Sequence, residues 1–78
     1  MNGQQQRTLV GYKGLPTLQV GEQVWYKISN DTGFTPAIVV RQPGTTGVFV
    51  RLTGDYKGKN QSFSSGQEIL AGAREVYR

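Results

Sequence analysis

The side chains of this chain that can do chemistry are cations and rings, and the two kinds interleave. Lys27, Arg41, Arg51, Lys57 and Lys59 fall on or beside short β-type runs, with Trp25, Phe34, Phe49 and Tyr56 among them. Cationic groups pair with phosphates and planar rings stack on bases, so the combination suits a nucleic-acid surface. Nine Lys and Arg against five Asp and Glu give a net charge of +4. Such a balance favours polyanionic partners, and it also serves solubility. The rings support a second chemistry as well. Trp25, Tyr26, Phe34 and Tyr56, with Asp31 or Asp55 adding negative charge, could surround a methylated lysine.

What is missing narrows the classes further. The chain has no His and no Cys, which removes the commonest general base, the thiol nucleophile, zinc ligation and disulfides. Its acids, Glu22, Asp31, Asp55, Glu68 and Glu75, are scattered over turns, and no spacing forces two of them together. No catalysis is expected of this chain alone, and no cofactor, metal or small-molecule substrate. Residues 53–59 (TGDYKGK) are basic and Gly-bearing, but they lack the strand–loop–helix setting of a phosphate loop. No apolar run approaches the roughly 20 residues of a membrane span. Residues 1–7 lack the profile of a secretory signal. A soluble intracellular protein without a membrane partner is expected.

The elements that must position these side chains centre on residues 15–52. Three β-type runs, 24–28, 36–41 and 48–52, are bounded by Gly, Pro, Asn or Asp, the pattern of short antiparallel strands. Alternation puts Val24, Tyr26 and Ile28 on an inner face and leaves Trp25 outside beside Gln23 and Lys27. A large ring there needs a ligand or a cover, and the amino-terminal arm is a candidate cover. The run 36–41 is apolar on both faces and is expected to be central. Phe34 is expected exposed in the polar turn 29–35. A symmetric turn over 42–47 would bring Arg41 and Arg51 within cross-strand reach of each other and of Phe49.

Beyond residue 52 the pattern weakens. Residues 53–60 read as a turn and 61–64 as a short strand with Phe63 inward. Residues 67–71 read as a single helical turn that seats Ile69 and Leu70, and 74–78 as a closing strand with Val76 buried. Residues 1–14 are expected to be a flexible arm in which Leu9, Val10 and Tyr12 could pack as a short strand. Pro16 biases Leu15 towards an extended backbone. The 78 residues make one all-β domain over 15–78, a small SH3-like barrel of Tudor or chromo type with about five short antiparallel strands. An OB-fold ranks second, because it needs a longer chain and an internal helix.

Leu15, Pro16, Leu18, Gly21, Val24, Trp25 and Lys27, followed by Phe34, Pro36, Ala37, Val39 and Val40, and then Gly44, Val50 and Leu70, form a pattern spread over residues 15–71. It resembles the carboxy-terminal domain of integrases of gypsy-type long-terminal-repeat retroelements and their domesticated relatives. The resemblance implies an SH3-like barrel that binds DNA, and in some cases other integrase subunits or chromatin, beside a separate catalytic core. It also implies a nuclear location in a eukaryotic retroelement, with the cytoplasm expected otherwise. The expected function is a non-catalytic binding module for DNA, with RNA as a further substrate class, through Lys27, Arg41, Arg51, Lys57 and Lys59. The weakly charged stretch 60–68 (NQSFSSGQE) motivates an alternative. This is a protein-interaction or assembly module of a phage or mobile element, self-associating through strand edges, or a Tudor-like reader of methylated residues.

Overall fold

The computed structural model describes residues 7–28 and 33–78. Residues 1–6 of the arm expected over 1–14, and residues 29–32 of the turn expected over 29–35, with Asp31, lie outside the described residues. The strands are β1 (Gln23–Lys27), β2 (Phe34–Val39), β3 (Gly47–Leu52), β4 (Tyr56–Lys57), β5 (Ser62–Phe63), β6 (Glu68–Gly72) and β7 (Val76–Tyr77). One α-helical turn, α1 (Gly11–Gly14), runs into a 3-10 turn at Leu15–Thr17. The fold is thus mostly β. An antiparallel five-stranded sheet has the order β6-β3-β2-β1-β7, and β4 and β5 form a separate hairpin. No helix among the described residues is long and apolar enough to cross a membrane.

This order forces the sheet to curl. Laid flat, five strands would hold β6 and β7 about 19 Å apart. Yet only residues 73–75 join these two strands, and the four steps from Gly72 to Val76 span at most about 14 Å. The connection is tighter still, because the Glu75 N–H donates to the Gly72 carbonyl at 2.9 Å. Among the described residues no ladder joins β6 to β7.

The chain ahead of α1 extends the sheet beyond β7. Thr8 and Arg78 exchange two backbone hydrogen bonds of 2.9 and 2.8 Å, and the Val10 N–H donates to the Val76 carbonyl at 2.9 Å. Leu9 bridges Tyr77. From Thr8 onward the segment expected as a flexible arm, in which Leu9 and Val10 could pack as a short strand, is tied to the last strand.

The inner face follows the two-residue alternation of the sequence. Val24, Tyr26 and Ile28 meet Ala37 and Val39, Val48, Val50 and Leu52, Ala71 and Val76 in one buried cluster. Leu15 and Leu18, at 0% and 2% exposure, plug it from the helical segment. Leu15 sits at φ −51° and ψ −48°, in the helical region rather than the extended one its following Pro16 favours. Burying a Leu side chain stabilises by about 1.5–3 kcal/mol, enough to outweigh that local bias.

Two further expectations are corrected. Residues 67–71 do not form a helical turn; β6 pairs with β3 from Gly47↔Gly72 to Arg51↔Glu68. Short apolar runs do not distinguish a helical turn from a strand by themselves, and here the long-range ladder decides. Ile69 and Ala71 turn inward, while Leu70 is left 61% exposed. Phe34 does not sit in a loop either. It opens β2 opposite Lys27. β2 then contains Pro36, whose missing N–H can cost only one bond, at the end of the β2–β3 ladder. That edge of β2 faces β3 just where β3 ends, and the Thr53 N–H still reaches the Pro36 carbonyl at 2.9 Å.

Candidate binding surfaces

Two clusters of rings and cations stand on the outer side of the sheet. The first is built from β1, β2 and β7. Trp25 lies opposite Pro36 on one side and Tyr77 on the other. The Phe34 and Tyr77 rings meet edge to face at 5.0 Å and 84°. The guanidinium of Arg7 sits 4.3 Å from the Trp25 ring centroid and 4.8 Å from that of Phe34. The Arg7 Nε is buried and has no hydrogen-bond partner among the described residues. Trp25 is half-buried beneath a cation of its own chain, so it is not an open stacking platform. The ring set differs from the one expected around a methylated lysine. Tyr26 points into the core and contacts Phe63 at 6.1 Å. Tyr56 packs near Phe63 at 6.4 Å on the β4–β5 hairpin. Tyr77, which carried no signal in the sequence beyond membership of a closing strand, joins instead.

The second cluster lies at the other end of β2 and β3. Arg41 covers the Phe49 ring at 5.4 Å, and Phe49 is 40% exposed. Phe49 stands opposite Leu70 of β6. The Ala73 N–H donates to the Thr46 carbonyl at 3.1 Å, and the Gly11 N–H donates to the Ala73 carbonyl at 3.0 Å. These bonds bring the backbone of Arg74, and the α1 turn that carries Lys13, to the same end of the sheet as Arg41. No local pattern could have joined residues 13, 41 and 74.

The remaining expected cations disperse. Arg51 lies opposite Ile38, not Arg41. Its guanidinium pairs with Glu68 at 3.0 Å, so this charge is already matched; the register is that of a symmetric turn over 42–47, which brings Arg41 to Phe49 as expected but leaves Arg51 out of its reach. Lys57 and Lys59 belong to the β4–β5 region beyond the far end of β3. Tyr56 approaches the backbone there so closely that a Cβ added to Gly33 would lie 2.5 Å from its ring. Lys27, opposite Phe34, is at this end too. The five cations singled out in the sequence do not converge on one patch.

The acids explain what charge is left over. Glu22 accepts from the Arg78 guanidinium at 2.8 Å and from the Gln19 N–H at 3.1 Å. The hydrogen bond from Arg78 holds the Glu22 carboxyl below its ordinary value, against a smaller opposing effect of desolvation. Asp55 accepts the Ser65 N–H at 2.8 Å, Glu75 accepts the Gly72 N–H at 2.8 Å, and Glu68 holds Arg51. Burial, then the nearby Glu75 charge, pushes the Tyr26 hydroxyl up. Every described acid is thus engaged within the fold. Lys13, Arg41, Lys57, Lys59 and Arg74 are exposed, and none of them is in an ion pair among the described residues.

Comparison with protein families, with characterised proteins and with solved structures finds no match to this chain.

Proposed function

We propose that the chain is a non-catalytic, SH3-like binding module that grips nucleic acid with little regard to sequence, duplex DNA first. The observation that carries this reading is the charge distribution. Two of the four described acids are ion-paired and the other two accept backbone N–H groups, while five exposed cations have no acidic partner among the described residues. Phosphates are the ordinary counter-charge for such a surface. The Arg41 end is the leading contact, with Arg74 and Lys13 beside it and Phe49 as an exposed ring. Lys57 and Lys59 make a second, separate contact that a rod-like duplex could reach. The strand order supports the SH3-like assignment: β1, β2, β3 and β6 run as a meander, and β7 returns to pair with β1. A sheet must wrap in this way to roll towards a barrel. The resemblance to integrase carboxy-terminal domains points the same way.

Fluorescence anisotropy of labelled duplex DNA, single-stranded DNA and RNA, at low and physiological salt, tests the proposal. Affinity should fall steeply with salt, and R41A/R74A should weaken binding and reduce the salt slope by about 2. Unchanged affinity in the folded double variant overturns it. A second reading, assembly through β6, is favoured by one observation: Leu70 is 61% exposed on an outer strand beside Phe49. It predicts a concentration-dependent mass in sedimentation, indifferent to salt and abolished by L70E.

A further inference from the structure

We propose that the ring cluster of Trp25, Phe34 and Tyr77 is a recognition site for a quaternary ammonium, specifically a trimethylated lysine of a partner peptide, and that Arg7 is its built-in competitor. The site already holds a cation. The Arg7 guanidinium lies over two ring faces at once, at 4.3 and 4.8 Å. The Phe34–Tyr77 edge-to-face contact fixes one wall, and the strand pairs Trp25↔Tyr77 and Lys27↔Phe34 fix the rings on three adjacent strands.

The choice of ligand follows from what Arg7 lacks. An arginine brings five N–H donors, and the Nε of Arg7 is buried here with no acceptor among the described residues. A buried donor without a partner is costly, and among the described residues the site supplies ring faces for positive charge but no oxygen for this N–H. A trimethylammonium group carries the same charge with no donors to satisfy, and it is the cation best matched to an aromatic enclosure. An unmodified lysine, strongly hydrated and with three donors, is the poorer fit. Arg7 lies immediately before the pairing of Thr8 with Arg78. The main chain at Thr8 is held by the sheet, and only the Arg7 side chain has to leave for the rings to open.

The test titrates the full chain and its R7A variant with a peptide bearing trimethyl-lysine and with the same peptide unmodified, following Trp25, the chain's single Trp, by fluorescence. Removing the competitor should tighten binding of the trimethylated peptide by about fivefold or more. The unmodified peptide should bind more weakly in both proteins, and W25A introduced into R7A should abolish the difference between peptides in a backbone-amide NMR titration. A folded R7A that binds neither peptide, or both equally, overturns the proposal. If R7A does not fold, the intact protein is titrated with tetramethylammonium alone. A saturable change in Trp25 emission then supports the site, and its absence shows Arg7 to be purely structural and overturns it.

Discussion

At the scale of single residues, Glu22 joins the start of β1 to the last residue of the chain through Arg78. Because its folded pKa is lowered below the ordinary 4.5, the stabilisation is fully present above that value and is lost as the pH falls through the lower folded value. E22Q should therefore unfold more readily than the parent at pH 7. The gap should close on acidification through the range below 4.5, measured by urea denaturation across that limb. Leu15→Ala should be far more damaging, by about 2–5 kcal/mol, since it empties a fully buried position at the mouth of the curled sheet. Inward residues such as Val24, Ile28 and Val50 were legible from alternation alone. The partners of Arg51 and Arg41 were not. The register, in which Val39 faces Val50 and Ile38 faces Arg51, is the one a symmetric turn over 42–47 gives; it sets Arg41 three positions from the residue opposite Arg51, and Glu68 reaches Arg51 only through the long-range β3–β6 ladder.

At the scale of elements, β1, β2 and β3 were legible because each has β-branched or aromatic residues between strong turn formers. β4 was not, since Tyr56 and Lys57 are only two residues set among turn formers and become a strand by pairing with Ser62 and Phe63. β6 was misread because Ile69 and Leu70 are adjacent apolar residues, which suit either period. The β3–β6 ladder is also where a glycine is required. A Cβ on Gly47 would lie 2.6 Å from the Ala71 carbonyl oxygen, a backbone atom that cannot move without shifting the strand. Gly47→Ala should cost about 1–3 kcal/mol in chemical denaturation. It should also perturb amide signals of β6 before those of β1.

At the scale of the whole molecule, the all-β class and the surplus of positive charge were legible in composition, whereas the candidate surface was not. It depends on contacts between residues far apart in sequence, such as Ala73 with Thr46 and Gly11 with Ala73. The engagement of the first described residues was legible only as a possibility, a short strand at Leu9 and Val10 and an arm covering Trp25, because nothing in residues 1–14 has a strand period long enough to choose its partner. Removal of residues 1–10 takes away the Thr8–Arg78 pair, the Val10–Val76 bond and a buried Val side chain. The expected loss is about 3–5 kcal/mol, from hydrogen bonds and apolar burial together, and thermal unfolding of the truncated chain measures it.

That same terminal pairing determines how the molecule responds to tension. Thr8 and Arg78 lie at one end of an antiparallel ladder, so a load applied to the two ends of the chain peels its bonds one after another instead of shearing them together. The outermost pair gives way first, and because Arg7 is attached to that pair, its guanidinium leaves the Trp25 and Phe34 rings before the five-stranded sheet bears any load. The weakest mechanical element of the fold and the cover of its aromatic cluster are the same few residues.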